Sequence, residues 1–347
     1  MGPGQDFRLG VLSPGGRDPE QYFDDQTGAG GHPPVNFHAF AACTHGSFHR
    51  DVKNAIAEKV PILLLLRGNF RATERALEEL KQAGRMVAVS LKETGLHQIA
   101  EQLSKPSRLA RFLRMVAKAD GCLATTPEAA ELYRRARAKP DAGTVAFIPM
   151  PYPMEVRTWD FSISPTTQSG ILIGTREWDV PSRNHLAALL LARDLCRATN
   201  EPVTVFNLDG RKGAARLREL NFPADKLRVI EKRKPYPDYL REMTKHKIVL
   251  QLDRSRVPGQ VAGDALLART ICVGGDGTTE RIAFASCCGQ GKTTDQLGAV
   301  ALELLQDTNK RATLIIESQW RAAERLSFPA VRKQLKLFFD RIGGAAA

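Results

Sequence analysis

The chain has 347 residues, 43% of them hydrophobic, and a formal net charge of +12. That length suits two ordinary domains with cores of their own, and its apolar runs, such as Pro61 to Leu66, are far too short to cross a bilayer. The positive charge favours anionic partners, whether nucleotide phosphates, nucleic acid or an acidic membrane face.

Residues 1–34 are rich in Gly, Pro and Asp without periodicity, and read as a flexible leader. They lack the basic-then-apolar order of a signal peptide. Order is expected from Val35, with VNFHAFA as a first strand and His45-Gly46-Ser47 as the loop behind it. A helix-like run covers 51–59 and a strand 62–66. A helix over 72–83 stops at Gly84, as a C-terminal glycine should. MVAVS (86–90) is the next strand, and 107–119 is amphipathic at helical spacing. GCLA (121–124) is a strand, and Thr126-Pro127 caps the following helix. Residues 145–148 close the first half, and Pro149 to Pro153 form a hinge.

The alternation then restarts. Strands are expected at 170–174, 203–207, 227–230, 247–252 and 270–273, and helices at 184–199, 236–246, 261–268, 291–306 and 318–343. Alternation of this kind implies an α/β protein with mainly parallel sheets. The loops of the 253–280 stretch, DRSRVPGQVAGDALLARTICVGGDGTTE, fall at the C-terminal ends of strands, where open α/β sheets bind ligands.

That stretch resembles the nucleotide-sugar segment of GT-B glycosyltransferases of the family 4, family 1-like type. In that family a glycine-rich loop leads into a helix bearing an acid, and a later strand ends in a G-G turn followed by Glu. The matching positions are Pro258-Gly259, Asp264, Gly274-Gly275 and Glu280, with Pro258 at or near the place of the family's first acid. TTPEAAELY, FIPMPYP and the final SQWRAAERLSFPAVRKQLKLFFDRI resemble the family's N-domain close, linker and C-terminal helix pair. The resemblance implies two Rossmann-like domains facing across a central cleft. The acceptor domain would be 35–152, the nucleotide-sugar-binding domain 153–317, and the helix over 318–343 would pack back on the former.

It also implies a retaining, metal-independent transferase that needs no cofactor beyond its nucleotide-diphosphate sugar. Arg176 and Arg183 would flank the donor pyrophosphate, and Asp264 would hold the ribose or sugar. Gly174, Asn184, Asp253, Arg254, Arg256, Gly259, Gly274, Gly275, Thr278 and Glu280 would frame the nucleotide. His45, Gly46, Ser47, Lys92 and Glu93 are assigned to the acceptor side; that acceptor would be a glycan, a lipid-linked molecule or a protein. A scaffold that has lost catalysis and binds a glycan, nucleotide or partner protein is the alternative.

Other features weigh less. Residues 206–256 hold 14 Lys and Arg against 7 Asp and Glu, which raises a DNA-modifying transferase; few aromatics accompany them for stacking on a single strand. Arg108, Arg111, Arg114 and Lys118 form a basic row, read as a solvated helix face or a contact with an anionic membrane. His45 and His49 fit H-x-x-x-H, but Gly46 and the lack of a third ligand weaken a metal reading. Gln290–Thr294 has the look of a phosphate-binding loop, yet Ser286 stands where its first Gly belongs. Six scattered cysteines without a C-x-x-C pair suit a reducing cytoplasm, with peripheral attachment to the inner membrane face as a variant.

Overall fold

A computed structural model describes residues 7–25, 27–28, 31–137, 143–174, 178–223 and 225–344. It divides into two compact units, 1–156 with 325–347 and 157–324.

Unit 1 holds strands β1 (Gly10–Leu12), β2 (Gln21–Tyr22), β3 (Ser47–His49), β4 (Ile62–Leu66), β5 (Val87–Leu91), β6 (Gly121–Ala124) and β7 (Val145–Phe147). They form one sheet in the order β2-β3-β1-β4-β5-β6-β7, parallel except for β2 at the edge. The connecting helices are α1 (Phe37–Ala42), α2 (Val52–Ala57), α3 (Arg71–Gln82), α4 (Leu96–Leu103), α5 (Pro106–Lys118) and α6 (Pro127–Ala136). ILLLL of β4 and VAVSL of β5 are buried throughout, as strands covered on both faces must be.

Two expectations fail here. The leader contains β1, an inner strand with Val11 and Leu12 fully buried and paired to both β3 and β4. Three apolar residues between glycine- and proline-rich turns give too short a pattern to read as a strand, and only the sheet around them makes it one. The expected first strand, VNFHAFA, becomes α1. The basic row on α5 is in part a packing device: Arg111 and Arg114 pair with Glu74 of α3 at 3.4 and 2.7 Å, and Lys118 approaches Glu78 at 3.7 Å.

Unit 2 holds β8 (Ile171–Ile173), β9 (Val203–Phe206), β10 (Leu227–Ile230), β11 (Ile248–Leu250) and β12 (Ile271–Val273), all parallel, in the order β10-β9-β8-β11-β12. Its helices are α7 (His185–Thr199), α8 (Gly210–Glu219), α9 (Tyr236–Met243), α10 (Gln260–Leu267), α11 (Thr278–Ala283), α12 (Thr294–Gln306) and α13 (Thr308–Arg325). The single helix expected over 318–343 is two: α13 belongs to unit 2 up to its last residue, and α14 (Phe328–Gly344) belongs to unit 1. Val331, Leu335, Phe338, Phe339 and Ile342 of α14 are buried in unit 1, with Phe339 against Phe7 at 5.8 Å. The outgoing and returning segments run together, with Tyr152 bridged to Ser327 and its amide donating to Leu326 O at 2.8 Å. No helix is long and apolar enough to cross a membrane among the described residues.

Candidate functional site

In unit 2 the chain steps outward from β8 to β9 and β10, then returns to β11 on the other side of β8. Connections therefore diverge between β8 and β11, the switch point where doubly wound sheets bind ligands. Three loops meet there at the C-terminal ends of β8, β11 and β12.

The β8 and β11 loops are tied together. Arg183 forms an ion pair with Asp253, and Asn184 Nδ2 donates to Leu252 O at 2.9 Å. The Arg254 amide donates to Ser182 O at 2.7 Å, and the Ser182 and Ser255 hydroxyls lie 2.7 Å apart. Asp253 is buried and also accepts from the Ser255 amide at 2.7 Å. Gly174 extends β8 on this edge, where a Cβ would come within 2.6 Å of Val261 Cγ1. Arg176 lies outside the described residues.

The β12 loop is held to the β11 loop in the same manner. The Thr278 and Thr279 amides donate to Val257 O and Pro258 O, and the Arg256 amide donates to Asp276 Oδ1 at 2.9 Å. Beneath them lies Glu280, 2% exposed, its Oε1 accepting from Gln251 Nε2 at 2.7 Å. Its Oε2 is buried without a hydrogen-bond partner. A Cβ at Gly259 or Gly277 would overlap this oxygen, and one at Gly275 would lie 2.9 Å from Oε1. Gly259, Gly274 and Gly275 also have φ of +91°, +84° and +72°, in the left-handed region that glycine occupies without strain. Burial pushes the Glu280 carboxyl up to about 8, with Asp253 and Asp276 adding to the shift. Burial also raises Asp276.

The described residues expected at the donor site lie in these three loops and the helices they enter, with two differences. Asp264 sits in the middle of α10, buried, with its Oδ1 accepting from the Tyr236 hydroxyl of α9 at 2.6 Å. Glu280, expected to frame the nucleotide, lies beneath the loops as an internal clamp on Gln251. Nothing local in the sequence pointed to the partners Gln251 and Tyr236, because both come from other elements of the fold.

Part of the basic stretch is structural: Arg228, Lys234 and Lys245 surround the buried Glu242. Gln290–Thr294 is the capped start of α12; Thr293 Oγ1 accepts from the Gln296 amide, and Lys292 Nζ donates to Cys288 O at 3.1 Å.

Unit 1 has its own switch point, between β1 and β4. Ser13 follows β1, Arg67 follows β4 and Lys92 follows β5. Arg67 Nη1 reaches Ser13 Oγ at 3.5 Å, and Lys92 pairs with Asp18. Burial opposes the charge of Asp18, but Lys92 holds its carboxyl below the usual range. Glu93 accepts from Gln98 Nε2 at 3.2 Å beside them. The Ser13–Asp18 loop was missed with the strand that precedes it. His45, Gly46 and Ser47 are a correction: they precede β3 or open it, and Ser47 pairs with Gly10 at the N-terminal end of β1. Parallel strands place that end opposite the ligand edge. Gly46 is needed there because a Cβ would overlap Leu9 O. His49 lies on β3 beside Glu58 at 3.3 Å, not on a helix with His45.

No protein-family model matches the sequence, and no curated protein matches it. Solved structures do: the fold is that of the GT-B glycosyltransferases. The chain is similar to an α,α-trehalose 6-phosphate synthase from Burkholderia multivorans (9% identity, TM-score 0.64, covering 85% of this chain and 75% of that one). It is similar to Anabaena Alr3699/HepE in complex with UDP (12%, TM-score 0.64, 95% and 98%). An E. coli trehalose-6-phosphate structure bound with UDP-2-fluoro glucose shares 11% identity at TM-score 0.62, over 83% and 75%.

Proposed function

We propose that this protein is a glycosyltransferase that takes a nucleoside-diphosphate sugar, UDP-linked as in its structural neighbours, and transfers the sugar to a separate acceptor. The observation that carries this reading is the glycine-lined shelf at the β8/β11 switch point, where Arg183–Asp253 and Gln251–Glu280 hold three loops in register. Arg183 and Arg176 would neutralise the leaving diphosphate. Asp264 would hold the ribose or sugar, in part by accepting from the Tyr236 hydroxyl, whose oxygen would in turn accept from a sugar hydroxyl. The transfer is proposed as retaining and independent of metal or further cofactor. The acceptor would be met by the unit 1 edge around Arg67, Lys92 and Glu93. A cytoplasmic setting, with contact to an anionic inner membrane face, completes the reading.

Calorimetric titration of UDP tests it. Charge-assisted hydrogen bonds contribute roughly 1.5–3 kcal/mol each, so Arg183→Ala should weaken UDP about tenfold to a hundredfold, while uridine loses much less. Wild-type UDP affinity in a folded Arg183→Ala would remove the assignment.

A second reading, a binding scaffold without turnover, is favoured by Pro258 near the place of the family's first acid and by Asp253 already countering Arg183. UDP binding with no release of UDP from UDP-sugars, with or without acceptors, would select it.

A further inference from the structure

On the other side of the α7 start, three side chains from three segments meet with polar atoms that the chain leaves unsatisfied. Trp178 lies in the loop entering α7, His185 is the first residue of α7, and Arg216 lies on α8. His185 is 2% exposed, and both its ring nitrogens are buried without a hydrogen-bond partner. Trp178 Nε1 and Arg216 Nη1 are buried in the same state. The Trp178 and His185 rings meet edge to face at 4.3 Å, and Arg216 Cζ lies 5.2 Å from the Trp178 ring centre.

Buried polar groups in native proteins are paired, and those left over mark an ion, a water or a ligand. Indole and guanidinium groups only donate, and a neutral imidazole offers one N–H beside one acceptor nitrogen. Three of the four unpartnered atoms are therefore donors, and the complementary group is rich in acceptors. The charge agrees. Asp179, largely exposed, is engaged by Lys212 at 2.8 Å and Arg216 at 3.3 Å, so two cations and one anion leave the cluster net positive.

We propose that Trp178, His185 and Arg216 form an oxyanion site for a phosphate group, distinct from the diphosphate position assigned to Arg183. The two lie on opposite flanks of one helix start. Arg183 turns to Asp253 of the β11 loop, whereas Trp178 and His185 lie beside each other, with Arg216 of α8 over the Trp178 ring. The site goes beyond the donor reading and does not depend on it.

Inorganic phosphate is the probe, titrated calorimetrically into the full chain with UDP in parallel. Saturable phosphate binding is expected, weakened about tenfold or more in Arg216→Gln and Trp178→Phe. UDP affinity should be unchanged in Arg216→Gln, and phosphate affinity unchanged in Arg183→Gln. Arg216 is partly exposed, so its substitution leaves the fold intact. Three results would overturn the proposal: no saturable phosphate binding, unaltered phosphate affinity in both Arg216→Gln and Trp178→Phe, or phosphate displaced by UDP and lost in Arg183→Gln. Loss of UDP binding in Arg183→Gln alone bears on the donor site and leaves this one standing.

Discussion

Glu280 is buried with one oxygen bonded to Gln251 and the other unpartnered, so its charged form is penalised and its carboxyl titrates near 8. An acid whose folded value is raised binds more protons in the native state. Its stabilisation is therefore fully present near pH 4.5 and is lost as pH rises towards about 8. Glu280→Gln keeps the shape and removes the titration. The variant should have a flatter stability profile across that window, and near pH 8 should exceed the parent by about 1 kcal/mol or more; equal slopes in urea titrations at several pH values would reject the clamp. The buried His38, His185 and His246, each lowered to about 4 chiefly by burial, act in the opposite sense. Their stabilisation is present above about 6.5 and is lost as pH falls towards 4. Together the two sets predict maximal stability between these limbs, at roughly pH 6–7, measurable as the melting optimum.

At the scale of elements, spacing alone identified most strands and helices of the two sheets, because buried parallel strands carry continuous apolar runs and their helices carry amphipathic stripes. Among the strands it failed where an element is too short to have a period. Gly10–Leu12 is three residues long, and its identity as an inner strand depends on β3 and β4. Leu12→Ala should accordingly cost about 2–5 kcal/mol, as for other fully buried leucines, whereas a loose leader would show almost no change in chemical denaturation. Gly259 makes the corresponding test in unit 2. At φ +91°, with Glu280 beneath it, Gly259→Ala should displace the carboxyl and weaken UDP binding; unchanged affinity would show that the shelf does not need this close approach.

At the scale of the whole molecule, the chain leaves unit 1 at residue 156 and returns to it at 325. Helix α14 is therefore part of the unit 1 core rather than an appendage. Six of its apolar side chains, those of Phe328, Val331, Leu335, Phe338, Phe339 and Ile342, are buried, each contributing roughly 1.5–3 kcal/mol, which together rivals the roughly 5–15 kcal/mol stability of a typical domain. Truncation before Phe328 should unfold unit 1 while unit 2 still melts cooperatively; a truncated chain with two intact transitions would contradict this. The sequence by itself determined the α/β class, the two-part division and the glycine-rich loops of unit 2, since periodicity and turn chemistry are local. It could not determine that Ser13 follows an inner strand at the C-terminal edge of the unit 1 sheet, or that His45–Ser47 lies at the opposite end. Nor could it show that Asp264, Arg183 and Glu280 are already engaged by Tyr236, Asp253 and Gln251. Those facts depend on strand order and on pairs up to 70 residues apart, which only the closed sheet brings together.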